Sequence, residues 1–344
     1  MMLDTATTLA TPPPVFADEY DFRLLNNFQR DFPLVTRPFQ RIARELDCAE
    51  STVLERLAIL CRSGSVSRVG AVFSPRRVGA STLAALQAPP DRLEAIARVV
   101  SAHPEVNHNY AREHAWNLWF VVTAPDAVIL ARVLRDIRRD TGCPVIALPL
   151  RVEFHIDLGF DLATRSRTVS HVSRGPSQPV LLTGEQSAIV AALQGGIPLL
   201  ARPFARIGRE AGVSESTVLH TLRDWVSRKV IKRFGVVVRH HELGYRANAM
   251  CVWDVPDDAV DAVGNRLAAA DDVNLCYRRE RAEPGWRYNL YCMIHGHSRA
   301  AVRERLSQIV AQCGLAGYPS DVLFSTRRFK QCGARYAAGG ARRV

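Results

Sequence analysis

The sequence predicts an α+β protein built as a tandem repeat. Each copy is a winged helix-turn-helix followed by a ferredoxin-like β-α-β-β-α-β domain. Three observations carry this. RPFQRIARELDCAESTVLERL (37–57) matches RPFARIGREAGVSESTVLHTL (202–222) at 13 of 21 positions, at a constant offset of 165, and self-similarity at a fixed spacing marks a repeated unit. The offset persists from Gly70 to Gly235 and from Gly79 to Gly244, and VNHNYAREH (106–114) matches VNLCYRRER (273–281) at offset 167. Within each copy the apolar spacing changes from helical to strand-like, and the elements then alternate in a fixed order.

In 37–63, Phe39, Ile42, Ala43 and Leu46 recur at helical spacing, as do Val53, Leu57 and Leu60. Between them Asp47-Cys48-Ala49-Glu50-Ser51 reads as a tight turn, with Ser51 or Glu50 near the second helix start. Two short helices joined by a short turn make a helix-turn-helix. SVSRVGAVFS (65–74) and VIKRFGVVVR (230–239) alternate like a strand pair or wing. Then 81–89 reads as a strand, 92–103 as an amphipathic helix, 106–114 and 116–124 as two strands, 127–142 as a helix and 144–157 as the last strand. The second copy follows the same order from 247 to 329. The organisation expected is a flexible N-terminus over 1–20, helix-turn-helix domains over 21–80 and 183–245, and ferredoxin-like domains over 81–160 and 246–332. A polar linker over 161–182 joins the halves, and a basic tail covers 333–344.

Length and composition bound the function. The chain has 344 residues, 47% hydrophobic and 23% charged, which fits two or more globular domains with real cores. Lys+Arg of 45 against Asp+Glu of 34 gives 45 − 34 = +11, so an acidic partner is expected: nucleic acid, anionic lipid or a polyanionic small molecule. No run approaches the ~18 apolar residues of a membrane helix. The first twenty residues have neither the basic nor the apolar region of a secretory signal, so a cytoplasmic location is expected. The eight cysteines form no C-x-x-C pair; no zinc or iron–sulfur site is indicated, and free, packed thiols are expected. There is no P-loop and no G-x-G-x-x-G, hence no local support for nucleotide chemistry.

The densest chemistry lies in VNHNYAREHAWNLWF. His108, Tyr110, Arg112 and His114 have the same parity and would line one face of a strand. Trp116, Asn117 and Trp119 follow directly. A solvated polar face explains any one of these residues nearly as well; for the set, a ligand face is the better reading. Copy two keeps Tyr277 and Arg279 but has Leu275 and Arg281 where the first has His108 and His114.

The architecture resembles the Lrp/AsnC regulators, whose ligand-binding (RAM-like) domain follows a helix-turn-helix. A more specific resemblance is to the siroheme decarboxylases, carried by FPLVTRPF (32–39), VGAVFSPRRVGASTL (69–83), VNHNYAREHAWNLWFVVTAP (106–125) and FHIDLGF (154–160). RRERAEPGWRYNLYCMI (278–294) and LFSTRRFKQCG (323–333) resemble the partner subunit, so the whole chain looks like the fused two-half form of heme d1 biosynthesis. The resemblance implies loss of the C12 and C18 acetate carboxylates of siroheme, giving 12,18-didecarboxysiroheme and two CO2. It implies no added cofactor, since the iron enters with the substrate, and no metal site. His108, His114 and His155 become candidate catalytic residues, suited to delivering a proton near neutrality; axial ligation of the iron is an alternative role for one of them. Tyr110, Arg112, Trp116, Asn117, Trp119, Arg151, Tyr277, Arg279 and Arg281 become candidate substrate-binding residues, offering guanidinium forks for carboxylates and aromatic faces for the macrocycle. Asp157 could orient His155, whose counterpart in copy two is read as Ser325. The remaining histidines, His295 among them, read as solvated.

The competing reading is a ligand-responsive DNA-binding regulator. The candidate recognition helices, 50–60 and 215–225, are each net −1, a poor match to phosphates, although Arg37, Arg41, Arg44, Arg62 and Arg68 keep this reading open. The expected partners are siroheme, no specific nucleic acid and no membrane. The halves are expected to pair through their sheets as an intramolecular pseudo-dimer. Further homo-oligomerisation and contact with other heme d1 enzymes stay open.

Overall fold

The computed structural model describes residues 19–74, 77–156, 180–238, 247–271 and 273–336. The expected N-terminal segment up to 18, Asp157, the linker through 179 and the tail beyond 336 lie outside them.

Each copy opens on three helices: α1 (Glu19–Asn27), α2 (Pro38–Glu45) and α3 (Glu50–Ser63) in the first, α6 (Gly184–Leu193), α7 (Pro203–Ala211) and α8 (Glu215–Ser227) in the second. The leading helices α1 and α6 extend the two-helix motif read from the sequence. Pro38 and Pro203 stand at the first turns of α2 and α7, where the missing N–H costs nothing. Ser214 caps α8 by accepting from the Thr217 amide at 3.0 Å. Its counterpart Ala49 has no side-chain cap; instead Arg37 binds Glu50, and Arg202 binds Glu215 in the second copy.

The stretches read as a strand pair or wing each form one strand, β1 (Val66–Phe73) and β6 (Ile231–Val238), and these pair antiparallel with each other, Gly70 opposite Gly235. Their packing needs bare backbone. A Cβ on Gly235 would lie 2.3 Å from the Gln29 carbonyl oxygen, and one on Gly70 would lie 3.0 Å from the Gly196 Cα. One apolar core then runs through both helical domains, from Leu24, Phe39 and Leu57 to Phe204, Leu222 and Trp225. The expected pairing of the halves is present, and it begins here.

The second part of each copy has the predicted order: β2 (Ala80–Leu86), α4 (Leu93–Ala102), β3 (Val106–Arg112), β4 (Leu118–Ala124), α5 (Ala127–Thr141) and β5 (Val145–Ile156), then β7 (Ala247–Trp253), α9 (Val260–Ala269), β8 (Val273–Arg279), β9 (Leu290–Gly296), α10 (Arg299–Cys313) and β10 (Ser320–Gln331). The two sheets are not separate. They close into one antiparallel barrel in the order β10-β3-β4-β2-β5-β8-β9-β7. The long last strands make the closure. β5 pairs with β2 through Pro149 and with β8 from Leu150; β10 pairs with β7 through Phe324 and with β3 from Ser325. Pro149, which cannot donate to a ladder, sits where β5 changes partner, its carbonyl accepting from the Glu280 amide at 2.9 Å.

Helices cover the outside of the barrel, α4 and α5 over one half and α9 and α10 over the other. The inside is lined by residues of both halves, including Trp119, Leu148, Met250, Val252, Tyr291 and Leu323. Because the last strands are exchanged, Phe154 packs under the helices of the second half and Phe329 under those of the first. α9 accepts Phe154 only because Gly264 lacks a side chain: an added Cβ would stand 2.2 Å from the ring. We expect Gly264→Ala to destabilise the protein by about 1–3 kcal/mol, measurable as a lower urea midpoint; an unchanged midpoint would show that the exchanged ring can relocate.

Register corrects one sequence pairing. Leu148 opposite Leu83 corresponds to Leu323 opposite Met250, so His155 corresponds to Lys330, and Ser325 corresponds to Leu150. The sequence match had aligned Phe154 with Phe324, a slip of five residues.

Candidate functional site

Three residues of β3, His108, Tyr110 and Arg112, face the barrel interior. Tyr110 stands opposite Trp119 of β4, an inward residue, and cross-strand partners share a face. His108 stacks on Tyr110 with ring centroids 6.2 Å apart. On the opposite wall β8 contributes Tyr277 and Arg279, with Leu275 in the place of His108. The guanidinium of each arginine lies over its tyrosine, at 5.9 Å for Arg112 and 5.2 Å for Arg279.

The two arginines are held alike. Arg112 donates to the Leu323 carbonyl at 2.9 Å and Arg279 to the Leu148 carbonyl at 3.0 Å, so each reaches the exchanged strand of the other half. Arg112 is 8% exposed, and burial lowers its pKa to about 10; burial lowers that of Arg279 as well. Among the described residues neither has a carboxylate within salt-bridge distance, the Arg112 Nε is buried without a hydrogen bond, and so is the Ser325 hydroxyl directly opposite it. A cation left this way is costly until an anion arrives. No hydrogen bond is made by the His108 ring or by the Tyr110 and Tyr277 hydroxyls among the described residues, so this wall keeps its donors and acceptors unspent.

At the end of the barrel nearer His108 sits the paired β1–β6 sheet. Arg68 of β1, read from the sequence as a cation for DNA, approaches His108; together with burial it lowers the His108 pKa to about 4, burial being the larger cause. The direction fixes a test. Between about pH 4 and the ordinary value near 6.5 the unfolded chain binds a proton at this histidine that the folded chain does not. Stability therefore rises with pH through that window and is lost as pH falls. We expect His108→Gln to reduce the difference in urea midpoint between pH 4.5 and pH 7; an identical difference in both proteins would remove His108 as its source.

At the other end of the barrel lies a cavity of about 640 Å3 lined by His114, Trp116, Trp286, Arg287, Tyr288 and Asp254 among others. β3 ends at Arg112, so His114 does not continue its face; it stands in the turn beyond. Its Nδ1 accepts from the Trp116 amide at 2.9 Å and its Nε2 lies 3.3 Å from Asp321. This places the proton of the neutral ring on Nε2. Burial lowers its pKa, against the raising effect of Asp321, and protonating Nδ1 would also break the bond from Trp116. The polar groups here are already paired: Arg287 holds Asp254 at 2.8 Å. The barrel wall, with cations that lack a carboxylate partner among the described residues, suits a polycarboxylate better than this cavity does.

The other candidates do not join the wall. Bulges in β5 between Leu150 and Val152 and between Glu153 and His155 turn two of them outward. Arg151 is 63% exposed and pairs with Glu280 at 2.9 Å. His155 is buried opposite Cys276, whose thiol bonds the Gly264 carbonyl of α9, so it lies on the helix-covered face. Arg281 is spent on Asp254, Asp257 and the Val255 and Arg287 carbonyls, an anchor for its loop rather than a fork for substrate. Asn117 closes a loop through both its amide ends, to the Ala88 amide and carbonyl at 2.8 Å each. Trp119 is buried, donating to the Trp116 carbonyl at 2.6 Å, and Trp116 donates to the Gly285 carbonyl at 3.1 Å.

Several residues escaped the sequence reading. Ser325, Arg328 and Gln331 of β10 oppose Arg112, Tyr110 and His108. On the other wall Leu150, Glu153 and Ile156 oppose Arg279, Tyr277 and Leu275. Spacing by three rather than two, set by the bulges, hid both rows. His295, read as solvated, is half-buried between Asn248 and Asn274, at 3.1 and 2.8 Å; only register brings these three together.

Comparison with known proteins agrees with this architecture. The siroheme decarboxylase NirDL-like helix-turn-helix domain matches residues 21–66 and 186–232, and the AsnC-like ligand-binding domain matches 77–155 and 242–330. A siroheme decarboxylase NirDL subunit of Paracoccus pantotrophus is 46% identical over 92% of this chain and 97% of its own. The chain belongs to the siroheme decarboxylase NirDL family. A siroheme decarboxylase of Hydrogenobacter thermophilus is 32% identical over 93% of this chain and 95% of its own. The crystal structure of a siroheme decarboxylase NirDL superposes with a TM-score of 0.69 at 31% identity, covering 93% of this chain and 94% of that one; another, in complex with an iron-uroporphyrin III analogue, gives 0.67 at 30%, covering 92% and 93%. In this siroheme decarboxylase the helix-turn-helix is part of an enzyme. Both helices that would enter DNA begin on a glutamate held by an arginine, Glu50 and Glu215, where a phosphate would otherwise sit.

Proposed function

We propose that this siroheme decarboxylase binds siroheme by its carboxylates at the barrel wall of His108, Tyr110 and Arg112 and removes the C12 and C18 acetate carboxylates. The observation that carries the site is the inward Arg112, buried without a carboxylate partner among the described residues. A tetrapyrrole rich in carboxylates supplies the missing anion.

In each decarboxylation the bond between the methylene and the carboxyl carbon breaks, CO2 leaves, and the electron pair passes into the pyrrole ring system. A proton then forms the new methyl group, so two rounds consume two protons and release two CO2. His108 is the donor this reading favours. Its ring is uncommitted, and carboxylates brought beside it raise a pKa that Arg68 and burial hold down. His114, fixed with its proton on Nε2, acts as a neutral hydrogen-bond donor at the far end. The reaction needs no resident cofactor in this reading. The location is cytoplasmic, and among the described residues no helix is long and apolar enough to cross a membrane.

The test is anaerobic incubation with siroheme, followed by product mass. Loss of two CO2 units is expected. An unchanged mass together with tight, sequence-specific DNA binding would return the chain to the regulator reading.

A further inference from the structure

The two walls of the barrel are related by the repeat, yet their chemistry is opposed. On the first wall, His108 faces Gln331, Tyr110 faces Arg328 and Arg112 faces Ser325. On the second, Leu275 faces Ile156, Tyr277 faces Glu153 and Arg279 faces Leu150. Of the six positions on each wall, four differ in polarity or charge, the three on the exchanged strand and the histidine, while the tyrosine and the arginine are kept. The difference is sharpest in the middle row, where Arg328 on one wall is replaced by Glu153 on the other.

The ends of the walls differ in the same sense. Arg328 is solvent-exposed and bonds Gln331 at 3.1 Å, whereas the cation of the paired sheet is common to both copies, Arg68 in the first and Arg233 in the second. Glu153 is only 20% exposed and is bound by Lys232, which reaches it from β6. At the position equivalent to Lys232 the first copy has Ser67. The first wall is thus cationic and opens towards solvent. The second carries a carboxylate beside its tyrosine and is closed by an ion pair joining the barrel to the helical domains.

We infer that Glu153, clamped by Lys232, is a specificity-determining residue that refuses substrate carboxylates at the second wall, so that the chain takes one tetrapyrrole at the Arg328 wall although the repeat supplies two related positions. This rests on the proposed substrate reading and adds stoichiometry and direction to it. A carboxylate approaching Tyr277 meets a like charge already in place; one approaching Tyr110 meets Arg328, with Arg112 and Arg68 nearby. Arg279 on the second wall then serves its partner tyrosines and the exchanged strand.

Titrating the full chain with iron-uroporphyrin III, read by its absorbance and by native mass spectrometry, tests the inference without any substitution. One equivalent per chain is expected. Two equivalents of comparable affinity would overturn the inference and leave the proposed function standing; no binding would overturn the proposed function and the inference with it. A reciprocal pair of variants assigns the wall. Arg328→Glu places the acid of the second wall on the first, and affinity should fall tenfold or more. Glu153→Gln with Lys232→Gln removes the ion pair as a unit, avoiding a lone buried charge, and the first equivalent should bind within twofold of the natural chain. A tenfold loss in the double variant, with circular dichroism unchanged, or an undiminished affinity in Arg328→Glu, would overturn the assignment.

Discussion

His108→Gln should lower turnover by about 10²-fold or more while the protein still binds siroheme, the loss typical of a removed proton donor. Glutamine keeps hydrogen bonding and approximate size but does not titrate in this range. The pH profile should change as well. In the free protein the His108 pKa is lowered to about 4 by burial and Arg68; substrate carboxylates oppose that shift. The falling limb of kcat should therefore lie at higher pH than the limb of kcat/KM, because the donor must be protonated and the complex holds its proton more tightly. In the variant this limb should vanish. His155→Gln, on the helix-covered face, should leave the profile in place. A variant at His108 with the natural rate and profile would remove histidine of the barrel wall as the donor, and His114 at the far cavity would become the residue to test.

Arg112→Met should weaken siroheme binding by about 2–5 kcal/mol, thirtyfold or more, the range seen when one partner of a desolvated charge pair is truncated. It should not weaken the fold to match. In the unliganded protein Arg112 donates only to the Leu323 carbonyl and has no compensating carboxylate among the described residues, so replacing it with an apolar chain removes an uncompensated charge. A melting temperature equal to or above that of the natural chain, together with lost affinity, identifies a residue kept for its ligand at the expense of stability. A melting temperature several degrees lower with affinity preserved would make Arg112 a structural residue instead.

What was legible in the sequence was whatever depends on local periodicity. Apart from the leading helices α1 and α6, the helices, the strand order along the chain and the inward row of His108, Tyr110 and Arg112 follow from spacing alone, and the repeat between 37–57 and 202–222 gives the pseudo-dimer. The exchange of the last strands was not legible, because 144–157 alternates the same way whichever sheet it joins. Parity also fails past a bulge. Each bulge in β5 inserts one residue, so Arg151 and His155 turn away while Glu153 turns in. The sequence could name Arg281 as a candidate fork, but not that Asp254 and Asp257, more than twenty residues upstream, already occupy it. Arg68 was visible as a cation near the helix-turn-helix, and only the β1–β6 pairing places it over the barrel.

The closure of the barrel also sets an order of events during synthesis. β3, complete once Arg112 has been made, finds its outer neighbour only in Ser325–Gln331, near the end of the chain. Until those residues leave the ribosome the first half carries an open strand edge, the kind of surface that invites pairing with other chains. The final contacts span more than two hundred residues, so folding depends on long-range closure and should be slow compared with a chain of two self-contained halves. A chain that stops short of residue 325 would lack the strand that completes the wall bearing His108, Tyr110 and Arg112. Translation through Gln331 is thus a condition for assembling the wall that carries His108, Tyr110 and Arg112.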